Sequence, residues 1–104
     1  MVLVRIVVAT CLLWAVCASA QSPDPALARN VAASCSACHG TNGASVGQVP
    51  SLAGSQRAET ILKMQDFKSG KRQGTIMPQL AKGYTDEQID LVATWFAAQP
   101  APAK

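Results

Sequence analysis

The run Cys35-Ser36-Ala37-Cys38-His39 constrains this chain more than any other feature. Cys-x-x-Cys-His is the attachment pattern for a c-type haem. Each thiol adds to one vinyl group of the porphyrin and leaves a thioether. The histidine after the second cysteine binds the iron on one face. The spacing has a physical reason. Helical residues three apart lie on one side, so both sulfurs meet one porphyrin edge. The next residue is then carried under the iron. The chain has one histidine, and it stands at this position.

Two other chemistries use a Cys-x-x-Cys pair. One is a redox disulfide and the other is half of a zinc site. A redox pair normally comes after a strand in a thioredoxin-like setting, and no strand pattern precedes Cys35. Structural zinc needs four ligands. Once Cys11 and Cys17 leave with the N-terminal segment, only Cys35, Cys38 and His39 remain as such donors.

That N-terminal segment reads as a secretory signal. Arg5 supplies a short positive start, residues 6–16 are almost wholly apolar, and Ala18-Ser19-Ala20 is a small-residue cleavage site. The expectation is a cleaved signal over 1–20 and a single domain over 21–104, exported to the periplasm. A retained anchor is the competing reading, but the apolar run is too short for a comfortable membrane span. Thr10 and Val16 are poor residues ahead of a lipoprotein cysteine. A mature chain with both thiols on haem has no free thiol or disulfide, which suits an oxidising compartment.

Cleavage leaves 84 of the 104 residues, one small domain. Chains this short often need help to build a core, and a haem supplies a rigid apolar plate. Without Arg5, eight Lys/Arg face six Asp/Glu. Two haem propionates cancel that excess, so the charge makes no case for nucleic acid.

The patterning predicts an all-α fold of three main helices. Asp24-Pro25 opens the first, with Asp as cap and Pro at the first helical position. Leu27, Val31, Cys35 and Cys38 share its spacing, which predicts a helix from about Pro25 to Cys38, released by Gly40. Residues 40–54 hold four glycines and a proline and read as a loop. Ser55 is the expected cap of a second helix over about Gln56 to Ser69, ended by Gly70. Its expected inner face is Ala58, Ile61, Leu62 and Gln65, flanked by Met64 and Phe67. A second loop, Lys71 to Tyr84, carries Met77-Pro78. The last helix has the clearest start. Thr85-Asp86-Glu87-Gln88 is a capping box, with Tyr84 and Ile89 as hydrophobic staple. Ile89, Val92, Ala93 and Phe96 then continue at helical spacing, Trp95 widens the stripe, and Pro100 and Pro102 end it.

An iron bound by one histidine has a sixth position. Left open, it binds small ligands or does chemistry; filled by a side chain, it mainly moves electrons. Met64 lies within a helix, where methionine commonly fills gaps. Met77 lies in a loop before Pro78, so its thioether reaches a distal face without a helix in the way. The alternative for Met77 is an ordinary packed loop residue. The histidine also needs orienting through Nδ1, and the carbonyl of Pro50 is a candidate acceptor. Lys63, Lys68, Lys71, Arg72 and Lys82 crowd the middle of the chain. They read as an ordinary solvated face in preference to a docking ring.

From about Leu27 to Ala98 the chain resembles class I cytochromes c. The segments carrying the likeness are Cys35-x-x-Cys38-His39-Gly40, Pro50-Ser51-Leu52-Ala53-Gly54, Asp66-Phe67-Lys68-Ser69-Gly70-Lys71-Arg72, Met77 and Thr94-Trp95-Phe96-Ala97. The second and third are similar to the bacterial branch that includes the haem subunit of flavocytochrome c sulfide dehydrogenase, as is the run Ala81 to Ile89. The resemblance implies helices and loops wrapped around one covalent haem c. It implies Cys35 and Cys38 as thioether sites, His39 and Met77 as axial ligands, and the Pro50 carbonyl as the partner of His39. This chain has a single haem motif, whereas some members of that branch carry two haem domains.

Three functions stand as expectations. The first is a haem subunit taking single electrons from a sulfide-oxidising flavoprotein. The second is a free carrier to a terminal oxidase or reductase. The third is a haem sensor or enzyme with an open iron, which Met77 argues against. The first two are electron-transfer proteins with no catalysis of their own.

Overall fold

The computed structural model describes residues 24–104. The expected signal over 1–20 lies outside these residues. Among those described there is no strand, and no helix is long and apolar enough to cross a membrane. The elements are α1 (Pro25–Ala32), a 3-10 turn (Ala33–Cys35), α2 (Ser36–His39), a second 3-10 turn (Thr41–Gly43), α3 (Arg57–Ser69), α4 (Met77–Ala81) and α5 (Asp86–Ala97). The all-α expectation holds.

Asp24 caps α1 as expected, its Oδ1 accepting from the Ala26 amide at 2.9 Å, with Pro25 in the first turn. The helix does not run unbroken to Cys38. It tightens into the 3-10 turn at Ala33–Cys35 before α2 resumes. A 3-10 turn advances three residues per revolution, so it rotates Cys35 and α2 relative to α1. The buried seam of α1 is Ala28 and Ala32, and Leu27 is 49 % exposed. Small side chains serve here because α1 crosses α5, with Ala32 seated on Val92 and Phe96.

α5 forms as its sequence dictates. Thr85 Oγ1 accepts from the Gln88 amide at 3.1 Å, and Gln88 Oε1 accepts from the Thr85 amide at 2.9 Å. Ile89, Val92, Ala93 and Phe96 are all buried. Phe96 and Ile89 are the largest fully buried side chains among the described residues.

α3 departs from expectation at both start and face. Gln56, in extended conformation, is its N-cap, without a side-chain bond. Ser55 falls one residue too early, and its amide closes a turn onto Leu52 O at 3.1 Å. The buried residues of α3 are Thr60 and Met64, while Ala58 is exposed and Leu62 is 59 % exposed. The helix is turned this way because it packs on both α4 and α5, which seats Met64 against Ala81 and Ile89. Ile61 and Phe67 flank that cluster, and Gln65 donates to Asp86 Oδ1 at 2.8 Å. An Arg57–Asp90 ion pair ties the start of α3 to α5.

The expected loop from Lys71 to Tyr84 contains α4, a single turn with Pro78 at its start. The amide of Leu80 donates to Ile76 O at 3.1 Å. Proline suits this position because a first-turn residue needs no N–H partner.

Two apolar clusters result. One comprises Ala32, Val92 and Phe96, joined by Val31, Cys35, Leu52, Tyr84 and Trp95. The other comprises Met64, Ala81 and Ile89, joined by Ile61, Phe67, Met77 and Tyr84. Tyr84 belongs to both.

Candidate haem-binding site

The site starts at the turn between α1 and α2. Cys35 ends the 3-10 turn and is half-buried against the first cluster, while Cys38, one turn on, is exposed. Burial pushes the Cys35 thiol above its ordinary pKa. A catalytic redox cysteine is favoured by the opposite shift, toward thiolate. Among the described residues no group of three or more His, Cys, Asp or Glu is arranged to hold a metal ion.

His39 is the last residue of α2, and Gly40 turns the chain away at φ +88°. A side chain at position 40 would sit 2.2 Å from Ala44 O, so only glycine fits. The chain then folds back on Gly43, whose carbonyl accepts from the amides of Leu52 at 2.8 Å and Ala53 at 3.1 Å. Gly43 packs against the Phe96 ring, where an added Cβ would come within 2.6 Å. Ser51 Oγ accepts from the Ser45 amide at 2.9 Å, and Phe96 O from the Gly54 amide at 2.9 Å.

This closed loop returns Pro50 to the histidine. His39 Nδ1 lies 2.6 Å from Pro50 O. A carbonyl only accepts, so Nδ1 carries the proton and donates. The ring is thereby fixed as the tautomer whose Nε2 has a free lone pair, the form in which imidazole binds a metal. An open pocket of about 250 Å³ lies between this turn and the loop, lined in part by Cys38, Gly40, Val46 and Val49.

Met77 stands apart from these four residues. It opens α4, half-buried, on the edge of the Met64–Ala81–Ile89 cluster. Met64 itself is a core residue, 9 % exposed. The structure thus brings Cys35, Cys38, His39 and Pro50 together at one end of the α1–α2 segment. It puts Met77 on a separate element that shares Tyr84 with them.

The residues present fit a haem. Two thiols sit one turn apart and an imidazole is oriented with Nε2 unused. Large apolar side chains are uncovered, with Val46 fully exposed beside Cys38, and Leu62, Ile76 and Leu80 about half exposed. A tethered apolar plate would give such groups a partner. Three of the five basic residues clustered in the middle of the chain have partners within it. Lys63 pairs with Glu59, Lys68 donates to Tyr84 O at 2.7 Å, and Arg72 lies over the Phe67 ring at 5.3 Å.

Tyr84 reaches beyond its staple position to Ser34, a residue that no sequence motif marks. The Tyr84 hydroxyl lies 2.9 Å from Ser34 Oγ, across 50 residues of chain. No local pattern encodes a contact of that separation.

Comparison with known proteins agrees with this architecture. The family model described as "Cytochrome C oxidase, cbb3-type, subunit III" matches residues 23–96. The chain is 44 % identical over 63 residues to the cytochrome subunit of sulfide dehydrogenase from Chlorobaculum tepidum, covering 61 % of this chain and 57 % of that one. It is 36 % identical over 77 residues to the thiosulfate dehydrogenase electron acceptor of Stutzerimonas stutzeri, covering 72 % of this chain and 36 % of that protein. It is 29 % identical over 80 residues to cytochrome c-554(548) of Halomonas halodenitrificans, covering 73 % of this chain and 96 % of that protein. The chain therefore spans little more than half the length of the first of these relatives and about a third of the second. With its helical architecture and its Cys-x-x-Cys-His turn, the chain belongs to the cytochrome c family described as cytochrome c oxidase, cbb3-type, subunit III, whose cofactor is covalently bound haem c.

Proposed function

We propose that residues 21–104 form a periplasmic cytochrome c domain that moves single electrons and does no chemistry on a substrate. Cys35 and Cys38 hold the haem by thioether bonds, His39 and Met77 are its axial ligands, and the Pro50 carbonyl orients His39. Bound haem supplies a one-electron redox centre at the iron. The chain's own residues anchor, orient and shield it. The observation that carries the reading is the 2.6 Å contact from His39 Nδ1 to Pro50 O, which reserves Nε2 for a metal. With both axial positions occupied by side chains, a substrate finds no place on the iron.

Within this role, the domain accepts electrons from a sulfide-oxidising flavoprotein. Support comes from the relative named as a cytochrome subunit of sulfide dehydrogenase. A second reading, a freely diffusing carrier, is favoured by the near-complete coverage of cytochrome c-554(548). Neither reading calls for nucleic acid or stable membrane insertion.

The covalent assignment is tested by acid–acetone extraction of the matured protein. Colour should remain with the protein; colour in the organic phase contradicts it. The partner is tested by size-exclusion chromatography of native extract at low and high salt. A subunit pair with an apolar interface keeps haem and flavin together at both. Haem eluting alone near the mass of this domain, even at low salt, supports the free carrier instead.

A further inference from the structure

We propose that Tyr84 is a positioning residue that clamps the Met77-bearing segment to the turn carrying Cys35. The proposal rests on the reading of Met77 as sixth ligand. The Tyr84 ring packs against the cluster that includes Cys35 and against the cluster that includes Met77. Its hydroxyl lies 2.9 Å from the Oγ of Ser34, the residue before Cys35. Its backbone is fixed on both sides. The amide donates to Ala81 O, the end of α4, at 3.2 Å, and the carbonyl accepts from Lys68 Nζ at 2.7 Å. The same ammonium lies 3.6 Å from Asp86 in the first turn of α5.

Tyr84 is thus held by α3 and α4 while it reaches across to the haem-attachment turn. The two axial ligands sit on elements that share little else, and the distance between those elements decides whether a thioether stays on the iron. A phenylalanine keeps the packing and loses only the link to Ser34. The segment then opens locally more often, since short elements with few partners open independently of the global fold. Both partners of the link are at least partly exposed, so the effect is graded.

The test uses the haem-loaded protein as wild type, Tyr84→Phe, Ser34→Ala and the double variant. Native-state hydrogen exchange reads the amides of Leu80 and Gly83, which bond within and just after α4. Each single variant should exchange there about twofold to fivefold faster, and the double no faster than either. Amides within α1 should hold their wild-type rates. In urea, the far-red sulfur-to-iron band should disappear before the far-UV helix signal in both single variants. Unchanged exchange at Leu80 and Gly83, or equal acceleration in every helix, overturns the clamp. A wild-type protein without the far-red band refutes Met77 as ligand instead, and the exchange rates still decide the clamp.

Discussion

The two sides of the proposed haem site are built by different means. On the histidine side, residues 33–54 are held by backbone bonds. Gly43 O takes two amides, Ser51 takes a third, and Pro50 O takes the imidazole proton. On the methionine side, Met77 sits at the edge of an apolar cluster, on a helix of five residues. Hydrogen bonds are directional and fix the orientation of the ring. Apolar contacts are not directional and leave the thioether segment freer to move. The histidine side is therefore a fixed mount, and the methionine side is an adjustable arm.

A cavity under either side should have the largest effect. Phe96 is fully buried, carries Gly43 on its ring and accepts the Gly54 amide through its carbonyl. Phe96→Ala should cost about 3–5 kcal/mol in urea unfolding of the haem-loaded protein, and should loosen the mount. Met64→Ala should cost about 2–5 kcal/mol and act on the arm. Exchange measurements should show the first damage at Leu52 and Ala53 and the second at Leu80. Matching patterns in both variants would mean that the two sides are one unit.

A smaller effect concerns the arm's outer support. Gln65, and then Lys68, hold the Asp86 carboxyl below its ordinary value of 3.8. A group lowered on folding contributes stability above its unfolded pKa and loses it as pH falls through the folded value. Acid titration below 3.8 should therefore weaken the wild type more steeply than Asp86→Asn. The carboxyl is largely exposed, so the difference in slope is small.

How far the sequence revealed these two sides depends on the same contrast. The mount was legible because its signals are local and chemical: a fixed cysteine spacing, one histidine, and glycines where the chain must turn. α5 was legible because a capping box and a helical stripe agree with each other. The arm was not. α4 is one turn long and too short to show a period. The buried face of α3 departs from its apolar pattern because Ala58 and Leu62 are exposed, away from the protein core. In a chain that packs around a prosthetic group, an apolar side chain need not point at other side chains. The Tyr84–Ser34 link joins residues 50 apart and leaves no trace in either neighbourhood.

Above all, the proposed function requires that the iron be held between His39 on the mount and Met77 on the arm. Far-red absorption of the oxidised, haem-loaded protein probes this without intermediaries, in three forms: wild type, Met77→Ala and Met64→Leu. A weak sulfur-to-iron band is expected in the wild type, lost in Met77→Ala and kept in Met64→Leu. Loss of the band in Met64→Leu with retention in Met77→Ala would refute the Met77 ligation.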